Sequence, residues 1–392
     1  MSTLKVDNIR HNNATSDAIT MASDGTCTAN ITSVNGGPLS HRNKFINGAM
    51  TISQRATSFT STLADAQYTL DRFKHIIRGT NDSYYYQVTD HPEGFSNSMK
   101  VTCNSTHTPS GSDNSGFQSF LEGQDLQDLN FGSSNAKSFT VSFYAKSASQ
   151  NNGHQYTFQI RSYPTSGDTR IKNFPFTVTT SWQRFTFTFT GDTGADIANT
   201  NGAGFACLWN LNAGPDDITS QYTNWTSLNK YMCVTGQSNF LDNTNNEFYL
   251  TGVQLEVGDT ATSFEHRSYG EELRRCERYF QCLKGPSLVD TGDNEALYGI
   301  AFAYTTSRTL WSFIFKTEMR DHPTIAMNTI ANLQGLGVVG GWNSATQLIY
   351  STKSSKLGCR VDLNWSGTPY TAGHAVEIRI VSDGLLSFSA EL

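Results

Sequence analysis

The chain has 392 residues, with 28 Lys+Arg against 34 Asp+Glu and a formal net charge of −6. Charged residues are 16 % and aromatics 12 %, a mixture poor in helix formers and rich in strand formers, which excludes a helical bundle and a disordered chain. The mild acidity gives no electrostatic reason for a nucleic-acid partner, and no apolar run approaches the ~18 residues of a membrane span.

Residues 1–40 are polar, with small apolar residues at short intervals: Leu4, Val6, Ile9, Ile19, Met21, Ile31 and Val34. Asp24-Gly25 reads as a turn between two short β-prone runs. Too few apolar groups are present for a core of its own, so this arm is either a flexible tail or is ordered by other chains.

Residues 41–267 read as a succession of strands. Phe185, Phe187 and Phe189 alternate with threonines; Phe139, Val141 and Phe143 form a second one-sided run. In Tyr249–Val257 the pattern sets Val253, Leu255 and Val257 inward and Gln254 and Glu256 outward. Further strands are expected at 98–103, 156–160 and 174–178. Repeated one-sided strands point to a two-sheet antiparallel sandwich of jelly-roll type.

Ser268-Tyr-Gly-Glu271 is a capping box, and Leu273, Cys276, Phe280 and Leu283 follow at helical spacing. Gly285-Pro286 would stop such a helix, giving a linking helix over 268–285. Its stripe packs either on the sandwich or around a symmetry axis with its own copies. Residues 286–392 form a second β region, with strands at 297–304, 310–315, 324–328, 376–380 and 386–392. Leu392 is expected to be buried or paired.

The seven cysteines are scattered and never spaced C-x-x-C, as expected of reduced thiols in a cytosolically made protein. No metal-ligand spacing occurs, and no catalytic or cofactor fingerprint is present. Asp242-Asn-Thr-Asn-Asn-Glu247 is oxygen-rich enough for calcium but reads as an Asn-rich turn. Glu93, Glu122, Asp125, Asp192 and Asp196 are the acids a glycan hydrolase would draw on.

Four blocks carry a resemblance to bacteriophage tail-fibre and receptor-binding proteins, especially those of marine and cyanobacterial phages. They are Ser2-Thr-Leu-Lys-Val-Asp-Asn-Ile9 with Ser23-Asp-Gly-Thr; Asn47-Gly-Ala-Met-Thr-Ile-Ser-Gln-Arg55 with Tyr68-Thr-Leu-Asp-Arg-Phe73; Thr251-Gly-Val-Gln-Leu-Glu-Val-Gly258 through Cys276-Glu-Arg-Tyr-Phe280; and Met319-Arg-Asp-His-Pro-Thr with Ser389-Ala-Glu-Leu392. The resemblance covers most of the chain. It implies an all-β protein with a stalk or docking arm (1–40), a carbohydrate-binding-module-like jelly roll (41–267), the helix, and a small C-terminal β domain (286–392). It also implies a parallel homotrimer in the virion, synthesised in the host cytoplasm and docked through residues 1–40 to another fibre, a tail adaptor or the capsid. The expected role is non-enzymatic host attachment through surface glycans, without nucleic acid, membrane insertion, metal or cofactor. An accessory fibre that only joins virion proteins is the alternative, and a glycan depolymerase the third.

Sugar rings stack on aromatic faces while amides and carboxylates bond their hydroxyls. Trp342 and Asn343 in Gly-Gly-Trp-Asn, Trp365, Tyr370, Trp209, Tyr222 and Trp225 are the sequence's candidates for that contact. Leu273, Cys276, Phe280 and Leu283 are its candidates for the trimer interface.

Overall fold

The computed structural model describes residues 6–10, 12, 15, 18–23, 27–29, 40–61, 63–79, 83–227, 233–285, 295–338, 340–349 and 354–392. The arm contains β1 (Asn8–Ile9), β2 (Ile19–Met21) and β3 (Cys27–Ala29), paired antiparallel in that order. The two β-prone runs therefore pair as expected. The Asp24-Gly25 turn, Leu4, Ile31 and Val34 lie outside the described residues.

The sandwich begins with β4 (Ser58–Phe59), β5 (Lys74–Arg78), β6 (Ser83–Val88), β7 (Ser98–Cys103) and β8 (Asn114–Glu122). It continues with β9 (Phe139–Ser147), β10 (Gln155–Ser162), β11 (Arg170–Thr177), β12 (Gln183–Phe189) and β13 (Ala203–Ala213). Three two-residue strands, β14 (Ile218–Thr219), β15 (Thr226–Ser227) and β16 (Cys233–Val234), precede β17 (Glu247–Val257). One sheet has the order β15-β11-β10-β13-β8-β5 and the other β12-β9-β17-β7-β6-β4. Trp209 sits between them, stacked on Phe117 at 5.3 Å and ringed by Phe45, Phe73, Phe143 and Phe158. Alternation predicts the inner faces well because each strand has one apolar side.

It fails on the outer side of β17. Gln254 and Glu256 are buried, not solvated. The return after β17 lies over them: Thr262 bonds Glu256, the Glu265 amide bonds Gln254, and Gln254 donates 2.8 Å to Glu256. A bulge between Thr251 and Gln254 requires Gly252 at φ +64°, where a Cβ would meet Phe95 and Tyr144 at 2.8 Å.

The helix is shorter than its stripe. α1 (Tyr269–Glu277) starts where the capping box places it, with the Ser268 hydroxyl accepting from the Glu271 amide. It ends at Arg278, and β18 (Phe280–Lys284) follows at once. Arg278 forks onto Glu122 at 2.8 and 2.9 Å, while the Tyr279 hydroxyl donates to the same carboxylate. Glu122 thus pins the chain against β8 before another helical turn can form. The proposed trimer stripe is corrected accordingly. Cys276 and Phe280 are buried within the chain, Leu283 packs on the C-terminal core, and Phe280 and Leu283 are strand residues. Leu273 is half-buried on the helix.

The C-terminal lobe holds β19 (Glu295–Thr305), β20 (Arg308–Ile314), β21 (Thr324–Met327), β22 (Leu333–Leu336), β23 (Asn343–Ile349), β24 (Gly358–Trp365), β25 (Ala375–Val381) and β26 (Leu385–Ser389). Six of these close a barrel, β19-β20-β24-β23-β22-β25, and β18-β26-β21 forms a small sheet packed on it. Leu392 is half-buried and its carbonyl accepts from Tyr68 on the sandwich. The protein is all-β, a jelly-roll-type sandwich followed by a small barrel. Among the described residues, no helix is long and apolar enough to cross a membrane.

Candidate functional site

The two outer faces of the sandwich differ. On the β10/β11/β13 sheet, Thr157, Gln159, Asn173 and Asn210 point outward yet are buried. Residues 214–227 and 233–238 fold back over them. Gln237 accepts from Thr157 at 2.7 Å and donates to the Asn210 carbonyl, and the Tyr222 amide donates to Asn173. The face is occupied by the chain itself.

The opposite sheet carries a row of alternating aromatic and cationic side chains, half-buried except for Tyr249, which is 8 % exposed. In-register pairing aligns Tyr86 on β6 with Lys100 on β7, Lys100 with Tyr249 on β17, and Tyr249 with Lys146 on β9. Trp182, just before β12, ends the row with its ring 6.2 Å from Tyr249. At about 4.8 Å between strands, Tyr86 and Tyr249 stand roughly 10 Å apart. The Lys146 ammonium lies 4.7 Å from the Tyr249 ring and 5.5 Å from Trp182; Lys100 lies 5.6 Å from Tyr249. These cation–π contacts hold the ammonium groups beside the rings, and the Trp182 and Tyr249 rings meet edge to face at 74°.

Two carboxylates fix the row. Asp90 accepts from the Trp182 indole at 3.2 Å and from Lys146 at 2.5 Å. Partial burial pushes its carboxyl up, but these two hydrogen bonds and the Lys146 charge outweigh it, leaving Asp90 below the ordinary carboxylate range. Glu247 accepts from the Tyr249 hydroxyl at 2.6 Å and pairs with Lys100. Burial first, then Glu247, holds the Tyr249 phenol protonated well above its usual range. The face therefore offers aromatic rings flanked by fixed donors and acceptors of both charges.

The sequence's candidates fall elsewhere. Trp209 is the centre of the sandwich core and is corrected from contact residue to core. Trp365 and Tyr370 are also corrected: they meet edge to face at 5.2 Å inside the barrel, with the indole donating to Thr309 and the phenol to the Gly335 carbonyl. Trp225 is half-buried at the sandwich edge, stacked on Phe205 and donating to the Thr190 carbonyl. Tyr222 is half-buried on the covering segment. Trp342 is also half-buried and lies 3.7 Å from the Arg379 guanidinium, which Gln334 holds through two hydrogen bonds. Asn343 begins β23 and donates to the Gly341 carbonyl. Asn343 pairs in register with Gly335, which brings it beside Tyr370 but not into a shared open site.

Three of the five hydrolase candidates have structural partners. Glu122 is saturated by Arg278, Tyr279 and Gln124, Asp192 pairs with Arg170, and Asp196 accepts from the Thr165 amide. Asp125 is held above its ordinary value by burial and by the nearby Glu122 charge. Glu93 is exposed. In the oxygen-rich run, Asp242 accepts from Asn246 at 2.7 Å and closes a turn. Cys103, Cys207, Cys233, Cys276, Cys282 and Cys359 are free thiols.

Tyr86, Lys100, Lys146, Trp182 and Tyr249 were missed: Tyr86, Lys146 and Trp182 lie outside the strands read from the sequence, and Tyr249 has the parity of the inward Val253, Leu255 and Val257. It reaches the outer face only because the bulge between Thr251 and Gln254 switches the inward set from Phe248 and Leu250 to Val253. Which residues align depends on register between distant strands.

No family model and no curated protein matches this chain. Among solved structures, a phage CBA120 tailspike enzymatic domain matches 58 % of the chain and 23 % of its own length, at 12 % identity and TM-score 0.31. The chain thus matches about a quarter of that protein. A family 22 carbohydrate-binding module from Clostridium thermocellum matches 59 % of this chain and 99 % of its own, at 10 % identity and TM-score 0.30. A xylan-binding domain from Paenibacillus barcinonensis matches 52 % and 94 %, at 12 % identity and TM-score 0.27. These TM-scores are too low to carry weight, so the sandwich rests on its own strand pairing.

Proposed function

We propose that this protein is a non-enzymatic attachment protein of a phage tail fibre, and that it holds surface glycans on the outer face of its sandwich. The observation that supports this reading is the row Tyr86–Lys100–Tyr249–Lys146–Trp182. Pyranose faces are apolar and their edges are hydroxyls; the half-buried rings of Tyr86 and Trp182, flanked by Asp90, Glu247 and two ammonium groups, meet both needs. Such a shallow face binds each chain weakly. Several copies on one particle then gain through effective concentration, so millimolar sites still give firm adhesion. Assembly as a parallel homotrimer, docking to virion proteins through residues 1–40 and location in the virion belong to this reading, as the sequence resemblance implies.

Glycan-array binding of the full chain tests it. Trp182→Ala should weaken binding to the best glycan about tenfold, equivalent to ~1.4 kcal/mol, with the melting temperature unchanged. Trp342→Ala should bind normally. Loss on Trp342→Ala with full binding by Trp182→Ala would move the contact to the C-terminal barrel, and glycan shortening would make the protein a depolymerase.

A further inference from the structure

The barrel strand β19 has its apolar residues the wrong way round for an isolated molecule. Its inward side chains are small, Ala301 and Ala303, both buried. Its outward ones are large: Ile300 is 69 % exposed, Phe302 50 % and Tyr304 59 %. On the adjoining strand, Phe302 pairs in register with Leu310, and Ile314 on the same outer face is 86 % exposed. A soluble chain ordinarily leaves large apolar residues exposed singly, and a contiguous stripe marks an interaction surface.

We propose that the outer face of β19 and β20 is a self-association surface, occupied by the same face of another copy of this chain. Three features select that occupant. The first is area: at ~150–250 Å² per large aromatic, the three β19 side chains leave roughly 350 Å² bare. That is close to half of the ~800 Å² each partner gives a standard interface, with Leu310 and Ile314 extending it. The second is composition. Ile300, Leu310 and Ile314 offer sugar hydroxyls no hydrogen bond, so the face suits protein rather than glycan.

The third is charge. On the β20/β24 flank, Arg308 and Arg360 both pair with the single buried Asp362, leaving one positive charge in excess. On the β25 flank, Glu377 stands in register with Ile300, and its neighbour Arg379 is turned to Gln334 and Trp342. Copies arranged about an axis parallel to β19 bring the arginine flank of each against the Glu377 flank of the next. The stripe itself then closes toward the axis. This surface replaces the helix stripe Leu273/Cys276/Phe280/Leu283, of which the fold buries Cys276 and Phe280 and packs Leu283 on the barrel core.

Light scattering on the full chain at tens of micromolar should give a whole-number multiple of the chain mass. Phe302→Lys should reduce it to one chain mass without lowering the melting temperature, since the side chain is half in solvent. Ile300→Ser with Tyr304→Ser is a milder second variant with the same expected outcome, and Glu377→Lys should weaken assembly in a salt-dependent way. A monomeric wild-type protein overturns the proposal, as does a Phe302→Lys protein that remains assembled. The glycan reading is scored separately. The monomeric variant should keep wild-type affinity for a monovalent glycan, because Trp182 and Tyr249 lie on the other lobe.

Discussion

His75 shows how one buried residue sets a pH response. Its Nδ1 bonds the Tyr85 hydroxyl at 2.8 Å, and that hydroxyl donates to the Gly116 carbonyl, so the imidazole keeps its proton on Nδ1. Nε2 is buried without a partner. Burial pushes the imidazole down to about 4 from an ordinary 6.5. Between those values the unfolded chain binds a proton that the folded chain refuses. The neutral form therefore contributes fully above about pH 6.5, and that contribution fades as pH falls toward 4, by roughly 3 kcal/mol in all. Urea midpoints measured across this window should drop for the wild type and flatten for His75→Gln. An equal slope in both would assign the titration to another group.

At the scale of elements, the run from α1 into β18 shows two periodicities competing over the same residues. Leu273, Cys276, Phe280 and Leu283 fit a helix, while Phe280-Gln-Cys-Leu-Lys284 also fits a strand. β26 decides the matter by pairing Phe280–Lys284 with Ser389–Leu385 in register. The switch point is held by Glu122, whose side chain is wholly buried while Arg278 is partly exposed. Burial alone would raise the Glu122 carboxyl, but hydrogen bonds from Arg278 and Tyr279 pull it below the ordinary range. Arg278→Ala strands that charge and should cost about 3 kcal/mol, by the usual penalty for breaking a buried pair. Chemical denaturation checks it. Near-neutral stability would mean that Tyr279 and Gln124 suffice to solvate the carboxylate.

At the scale of the whole molecule, the C-terminal residues join the two lobes, with the Glu391 carboxylate at the centre of the seam. Glu391 receives Arg55 at 3.1 Å and also pairs with Arg72, both from the sandwich. Those guanidiniums stack on Phe280 and Tyr279, at 3.7 and 3.4 Å from the ring centroids. Arg320 adds hydrogen bonds to the carbonyls of Ala390, Glu391 and Asn201. With this junction intact, sandwich and barrel should unfold together in a single calorimetric transition. Glu391→Ala leaves the buried Arg72 without its carboxylate and Arg55 with Asp71 alone, at 3.9 Å, and should split the transition in two. A single unchanged endotherm would show that the apolar packing around Phe280 and Tyr279 couples the lobes unaided.

The sequence by itself determined the all-β class, the inner faces of β9, β12 and the Val253–Val257 half of β17, and the start of α1. Each of those rests on a local rule: alternation over a few residues, or a cap that reaches three positions along the chain. Only the tertiary structure decided where α1 stops, because Glu122 and β26 are distant in sequence from Arg278 and Phe280. The same holds for the tryptophans. Trp209 and Trp365 looked like contact residues and became cores, since burial depends on what packs opposite. The aromatic and cationic row could not be read at all until register aligned Tyr86, Lys100, Tyr249 and Lys146 from four strands. A shift of one residue in any of those pairings would turn its side chain into the core, and nothing local to a strand fixes that choice.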